Sequence, residues 1–315
     1  MWSAPRSIWS RILVNEWWRR NRQNLARLAG TILAVVLIVV LVKEEGGDDI
    51  LLAVRRISIL YFIAAGLVMI ISRLFVVGRW HVLLRSGGVN ISFSRTAMLT
   101  FTGLFSSNFL PTTIGGDVVR LAGAMQLGYD RAVCVASLVA DRLIGMAGMV
   151  IALPPGLIPI FSMSDPASQS VTLAGLVEKG RAFVRRTLAA FSIWLKKPFA
   201  LTLSFLSTLA NMACIFWAVS LLITGIGHHV SYWLIAGLWS VTYFVTLVPI
   251  SVNGYGVQEL SLTYLLSRIG GLSHSESLTI AILIRALFMI TSLPGALFLP
   301  SILAAMSTAR EEITP

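Results

Sequence analysis

Apolar residues fill this chain in long blocks, and polar residues break them in a few short, similar places. Residues 25–42 are almost uninterrupted Ala, Leu, Ile and Val. Residues 57–84, 131–153, 198–224 and 278–306 form further blocks of the same character. A helix rises about 1.5 Å per residue, so each block is long enough to cross a hydrocarbon core of about 30 Å. Residues 96–109 behave differently. That segment is too short to cross as helix alone, and it stops two residues before Pro111. Residues 232–248 likewise run into a proline, Pro249. Pro154 to Gln169 reads as a loop rich in Pro and Ser. Residues 174–197 alternate Leu and Phe with Lys and Arg, the pattern of a basic amphipathic helix on a membrane surface.

The two proline interruptions share a grammar. Residues 108–121 read NFLPTTIGGDVVRL and residues 247–260 read LVPISVNGYGVQEL. Each places a Thr or Ser two residues after the proline and a Gly five residues after it. Each then resumes an apolar helix bearing an ionisable residue, Arg120 in the first and Glu259 in the second. Unwinding a helix inside a membrane leaves backbone groups to be satisfied, so doing it twice points to a polar site at a repeat interface. New helix N-termini present N–H groups and positive dipole ends to phosphate or carboxylate. Arg120 adds a full charge, Thr112, Thr113 and Ser251 add hydroxyls, and Asn108, Asn253 and Gln258 add further hydrogen-bonding groups. Glu259 is expected to balance Arg120 when the site is empty, or to accept a cationic group.

The interior charges carry competing readings. Asp117 lies in a first helical turn, where capping explains an acid as well as binding does. Arg120 opposes the dipole there and needs an acidic partner or an anionic ligand. Asp141 and Arg142 are neighbours about 100° apart on a helix, so each pairs elsewhere, with Arg120 a candidate partner for Asp141. A structural ion pair and a functional one account for them equally well. Arg285 stands inside the last block. Arg73 and Arg79 are expected to snorkel or line the bundle, and rank below the later charges. The adjacent His228 and His229 have no sequence neighbour that would complete a metal site, and read as a solvated loop.

Composition changes the picture in one respect. Of 315 residues, 56% are hydrophobic and 12% charged, about half the charge share of an average soluble domain, with mean hydropathy +0.82. The net charge of +11 raises nucleic acid as a partner, but the basic residues flank apolar spans as cytoplasmic loops do, which excludes it. Residues 1–24 interleave five arginines with Trp2, Trp9, Trp17 and Trp18, suiting an interfacial segment or a topology anchor. A single transmembrane domain is expected over residues 25–306 and a short tail over 307–315. A basic start followed by the acidic connector at residues 43–49 puts the N-terminus in the cytoplasm. If the first broken segment crosses the bilayer, the two segments run in opposite directions as an inverted repeat; re-entrant hairpins are the alternative. The charge pattern favours crossing. Cys134 and Cys214 form no disulfide framework, and no cofactor or metal motif occurs.

NFLPTTIGGDVVRL, the DRLIG at residues 141–145 and VPISVNGYGVQEL together resemble the flippase-like transmembrane family of the lysylphosphatidylglycerol synthases. The resemblance spans about residues 25–305. It implies an all-α polytopic bundle of the bacterial inner membrane that moves or presents a lipid between leaflets. Asp117, Arg120, Asp141, Arg142 and Glu259 occupy the family's motif positions. Asp117 shortens an acid that is often Glu, and residues 154–177 are too polar for a span the family frequently has. No synthase domain follows Pro315, so no aminoacyl transfer is expected. The paired broken helices with interior charge point to a non-enzymatic transporter for an anionic phospholipid or lipid-linked glycan, with a homo-oligomer as an option. The alternative is a scaffold for an envelope-lipid enzyme or glycosyltransferase, docked through residues 174–197.

Overall fold

The computed structural model describes residues 57–109, 115–162, 197–248, 251 and 254–299. The expected first span, the Trp-rich N-terminal segment, the basic amphipathic helix save for Lys197, and the C-terminal tail lie outside them. So do Thr112, Thr113 and Asn253.

All secondary structure among the described residues is helical. Ile59–Ser86 (α1), Phe93–Phe109 (α2), Gly115–Gln126 (α3), Arg131–Ala152 (α4) and Pro154–Ser162 (α5) make the first half. Pro198–Gly225 (α6), Tyr232–Thr246 (α7), Val257–Arg268 (α8) and His274–Ser292 (α9) make the second. A 3₁₀ turn over Leu293–Leu297 follows α9 where Pro294 removes a donor, and residues 300–306 of the expected block lie outside the described residues. Among the described residues, four helices are long and apolar enough to cross a membrane: Ile59–Ser86, Arg131–Ala152, Pro198–Gly225 and His274–Leu297. Large apolar side chains such as Ile59, Ile63, Leu67 and Ile70 on α1 face outward, as they would toward lipid.

α1 and α6 run along one another as the main packing axis. Their contact is not wholly apolar. Ser204, Thr208 and Asn211 form a stripe on one face of α6, and Ser72 and Arg79, seven residues apart on α1, meet it. Ser72 donates to Asn211 at 2.7 Å and Arg79 Nη1 to Thr208 at 3.2 Å. Around this axis Met69, Phe216, Leu222, Trp239, Leu266 and Ile284 fill the larger core cluster. A second cluster gathers Trp80, Leu84, Ile91, Leu99 and Val119 where α1, α2 and α3 meet.

The first interruption is a reversal. Continued straight, α2 and α3 would hold Gly103 and Arg120 roughly 25 Å apart. Instead they touch: a Cβ on Gly103 would lie 2.5 Å from Arg120 Cγ and 2.8 Å from the Gly116 carbonyl oxygen. One on Gly116 would lie 2.4 Å from the Gly103 carbonyl oxygen. α2 and α3 therefore pack face to face as a hairpin, the arrangement that the re-entrant alternative describes. Two glycines facing each other let the backbones close. The second interruption loops back too, with Gly254 (φ 71°) and Gly256 (φ 74°) in the left-handed region before α8.

Pro154 to Gln169, expected as loop, is helical over Pro154–Ser162. Proline at a first helical position leaves no donor wanting, and Leu157, Ile158, Ile160 and Phe161 give the turn an apolar surface. Its backbone presses on α7, where a Cβ on Gly237 would lie 1.9 Å from the Gly156 nitrogen.

Candidate functional site

Two polar clusters stand inside the helices, one from each interruption. The first is built on α1, α3 and α4. Asp141, buried on α4, accepts from Arg79 Nε at 2.6 Å and from Arg120 Nη1 at 3.3 Å. Arg120 Nη1 also reaches Asp117 Oδ1 at 3.3 Å, and Asp117 Oδ2 accepts from Arg142 Nε. The Arg120 guanidinium lies over the Trp80 ring at 4.0 Å, and the indole N–H is engaged by Ser137 at 3.0 Å. The sequence reading that Asp141 and Arg142 pair elsewhere, with Arg120 at Asp141, holds in this geometry.

The charges do not cancel. Arg79, Arg120 and Arg142 bring three cations against the two carboxylates of Asp117 and Asp141, leaving a surplus of one. The surplus is also visible as unused donors. Arg120 is 7% exposed, and its buried Nε and Nη2 have no hydrogen-bond partner among the described residues. A charged donor held out of water without a partner is costly, so these two donors are the unsatisfied feature of the cluster.

The cluster opens sideways. Val118, Leu121, Val135, Leu138 and Val139 line a groove of about 240 Å³ between α3 and α4, with Asp117 and Arg142 in its wall. The Arg142 side chain is 52% exposed although it stands midway along the 22-residue α4. At that depth a bilayer offers hydrocarbon, where an exposed guanidinium is strongly disfavoured.

The second cluster is balanced. Arg285 on α9 donates through Nε to Glu259 and through Nη2 to Gln258 at 3.0 Å, and lies over the Tyr255 ring at 4.6 Å. Glu259 also folds back to accept from the Gly256 N–H at 2.7 Å, closing the start of α8. Glu259 therefore does not balance Arg120 as expected. A carboxylate in the first turn has its own helix N-terminus and a facing arginine within reach, while Arg120 is held by Asp117 and Asp141.

The interruptions meet at Asn108. Its carbonyl accepts from the Tyr255 hydroxyl, and its amide donates to the Phe288 carbonyl at 3.1 Å and to Ser292 Oγ at 3.0 Å. Asn108 is thus a clasp between α2, α9 and the second interruption, with its donors used. Ser251 is buried with its hydroxyl unpartnered among the described residues.

Two residues were undervalued from sequence. Of the two placements expected for Arg73 and Arg79, both line the bundle: Arg79 reaches Asp141 and Thr208, and Arg73 reaches Thr291. The signal for Arg79 is the seven-residue spacing of Ser72 and Arg79, which matches the Ser204–Thr208–Asn211 stripe on α6. His228, read as solvated, lies 3.0 Å from Glu276 Oε1, a contact between distant segments. Among the described residues no three His, Cys, Asp or Glu side chains converge as a metal set would.

Compared with known protein families, the chain matches the model described as "Lysylphosphatidylglycerol synthase TM region" over residues 27–177 and 171–295. No curated protein matches it.

Proposed function

Because the chain belongs to the family of the lysylphosphatidylglycerol synthase transmembrane region, a membrane family linked to lipid handling, we propose that it passes an anionic lipid between the leaflets of the bacterial inner membrane. The cargo is a phospholipid or lipid-linked glycan, and the role is non-enzymatic. The observation that carries this reading is the pair of unused, buried Arg120 donors in a cluster with one surplus positive charge.

The physical sequence is short. A phosphate head group slides into the groove between α3 and α4, while its acyl chains stay against the outward-facing valines. Arg142 meets it first, half-exposed and already leaning on Asp117. Arg120 takes it next, since a phosphate oxygen supplies the acceptors that Nε and Nη2 lack. The N-terminal end of α3, at Gly115 and Gly116, adds the positive end of the helix dipole nearby. Asp117 and Asp141 keep the arginines from repelling one another and keep the site weak enough to release its ligand.

The test is reconstitution. Proteoliposomes with the wild-type protein should move labelled phosphatidylglycerol between leaflets faster than protein-free vesicles. Arg120→Ala should lower the protein-dependent rate by about tenfold or more, the weight of one charge-assisted contact. A wild-type rate equal to that of Arg120→Ala would overturn the reading.

A further inference from the structure

Among the described residues, the arginines of the two clusters each meet a carboxylate: Arg79 and Arg120 share Asp141, Arg120 and the half-exposed Arg142 share Asp117, and Arg285 has Glu259. Arg73 has no carboxylate within ion-pair distance among the described residues. It is 6% exposed and stands at the middle of the 28-residue α1, roughly 20 Å from either helix end. An arginine side chain cannot cover that distance to reach the interface.

What Arg73 does have is a shallow set of neutral contacts on α9. Nε donates to Thr291 Oγ1 at 3.2 Å, and the guanidinium carbon lies 4.8 Å from the Phe288 ring centre. Thr291 in turn donates to the Leu287 carbonyl at 2.7 Å. The Nη groups make no hydrogen bond among the described residues. Neutral contacts orient the guanidinium, and no carboxylate among the described residues compensates its charge. Immediately beside it, Phe288 and Ser292 receive the Asn108 amide, so the cation stands where the first interruption is clasped to α9.

We infer that Arg73 is a second anion-binding position in the bundle, taking a phosphate or carboxylate distinct from the one at Arg120. The two positions have different neighbours: Arg120, on α3, meets Asp141 of α4 and Trp80 of α1, while Arg73 faces Thr291 and Phe288 of α9. Arg73 and Trp80, on which Arg120 rests, are seven residues apart on α1 and so about 10 Å apart along its axis. That separation exceeds the span of one phosphate, so the positions are separate seats and not one enlarged site. The inference rests on the reading that the bundle takes an anionic lipid, and adds a second seat to it.

Binding stoichiometry tests this. The full-length protein in non-ionic detergent is titrated with dihexanoyl phosphatidylglycerol, and separately with inorganic phosphate, and followed by calorimetry and native mass spectrometry. Wild type should bind two equivalents of the lipid. Arg73→Gln and Arg120→Gln should each weaken one equivalent by about tenfold and leave the other, and Arg73→Lys should keep both. Inorganic phosphate filling the Arg73-dependent seat without the lipid would support an anion seat whose source is the free ion. Thr291→Glu provides a check independent of folding, because it places a carboxylate beside Arg73. It should raise or preserve the melting midpoint while abolishing that same equivalent. Two undiminished equivalents in Arg73→Gln and Thr291→Glu would overturn the second seat and leave the Arg120 reading standing. A wild type that binds neither equivalent would overturn both.

Discussion

At the scale of residues, Asp141 is the hinge of the electrostatics. It holds two arginines at once from a position that is 3% exposed. Replacing it by Asn leaves Arg79 and Arg120 facing each other with no shared counter-charge. Removing one partner of a buried pair typically costs about 3–5 kcal/mol, so Asp141→Asn should lower the melting midpoint in detergent clearly. An unchanged midpoint would show that water already screens the pair. Arg285 and Glu259 allow a cleaner measurement. Each single change, Arg285→Met or Glu259→Gln, should destabilise by a similar amount, whereas the double change should recover most of the loss, because the unpaired charge is then gone. Equal and additive losses would contradict the pairing.

Residue pairing was partly legible beforehand. Asp141 and Arg142, adjacent on one helix, could not satisfy each other, and that local fact pointed outward to Arg120. Arg79 was not legible in the same way. Its partner depends on which face of α1 meets α4 and α6, and one sequence fixes that only through the Ser72–Arg79 spacing. The supposed balance between Arg120 and Glu259 failed for a related reason. Nothing local shows that Glu259 curls onto its own helix start, or that Arg285 arrives from α9.

At the scale of elements, the α2–α3 hairpin depends on two glycines. Gly103 and Gly116 face each other so closely that any side chain meets backbone. Gly116→Val should force the hairpin apart, displace Arg120 from Trp80, and abolish lipid transfer even where protein still inserts. Transfer at wild-type rate in Gly116→Val would sink this account of the hairpin. The clasp at Asn108 should be gentler. Tyr255→Phe keeps the ring over Arg285 and removes only the hydrogen bond to the Asn108 carbonyl, a loss of about 1 kcal/mol read by the melting midpoint.

Spans were readable because length and apolarity alone decide them: the blocks at 57–84, 131–153 and 198–224 differ from α1, α4 and α6 by a residue or two at their ends. The direction of the chain after Pro111 was not readable. A proline and two glycines permit either a bend or a reversal, and only the close approach of Gly103 to Gly116 separates them. α5 escaped notice for another reason. Its prolines read as loop, yet Pro154 and Pro155 sit where a helix can begin.

At the scale of the whole molecule, the two clusters and Arg73 together carry five arginines, Arg73, Arg79, Arg120, Arg142 and Arg285, against three carboxylates, Asp117, Asp141 and Glu259, among the described residues. On the proposed reading, this surplus and the groove open between α3 and α4 receive anionic head groups. Filling the groove should show this directly. Val139→Trp adds bulk to a lipid-facing wall and touches none of the ion pairs, so transfer should fall severalfold with the melting midpoint unchanged. Unaltered transfer would remove the groove from the route.

On the proposed reading, this charge surplus, focused at Arg120, selects anionic lipid. The most direct measurement is a ratio: initial inter-leaflet transfer of labelled phosphatidylglycerol over that of phosphatidylcholine with the same chains, in the same proteoliposomes. A ratio is insensitive to how much protein is reconstituted. It should clearly exceed one for wild type and fall toward one for Arg120→Gln. A wild-type ratio near one, or a preference that survives Arg120→Gln intact, would contradict the account.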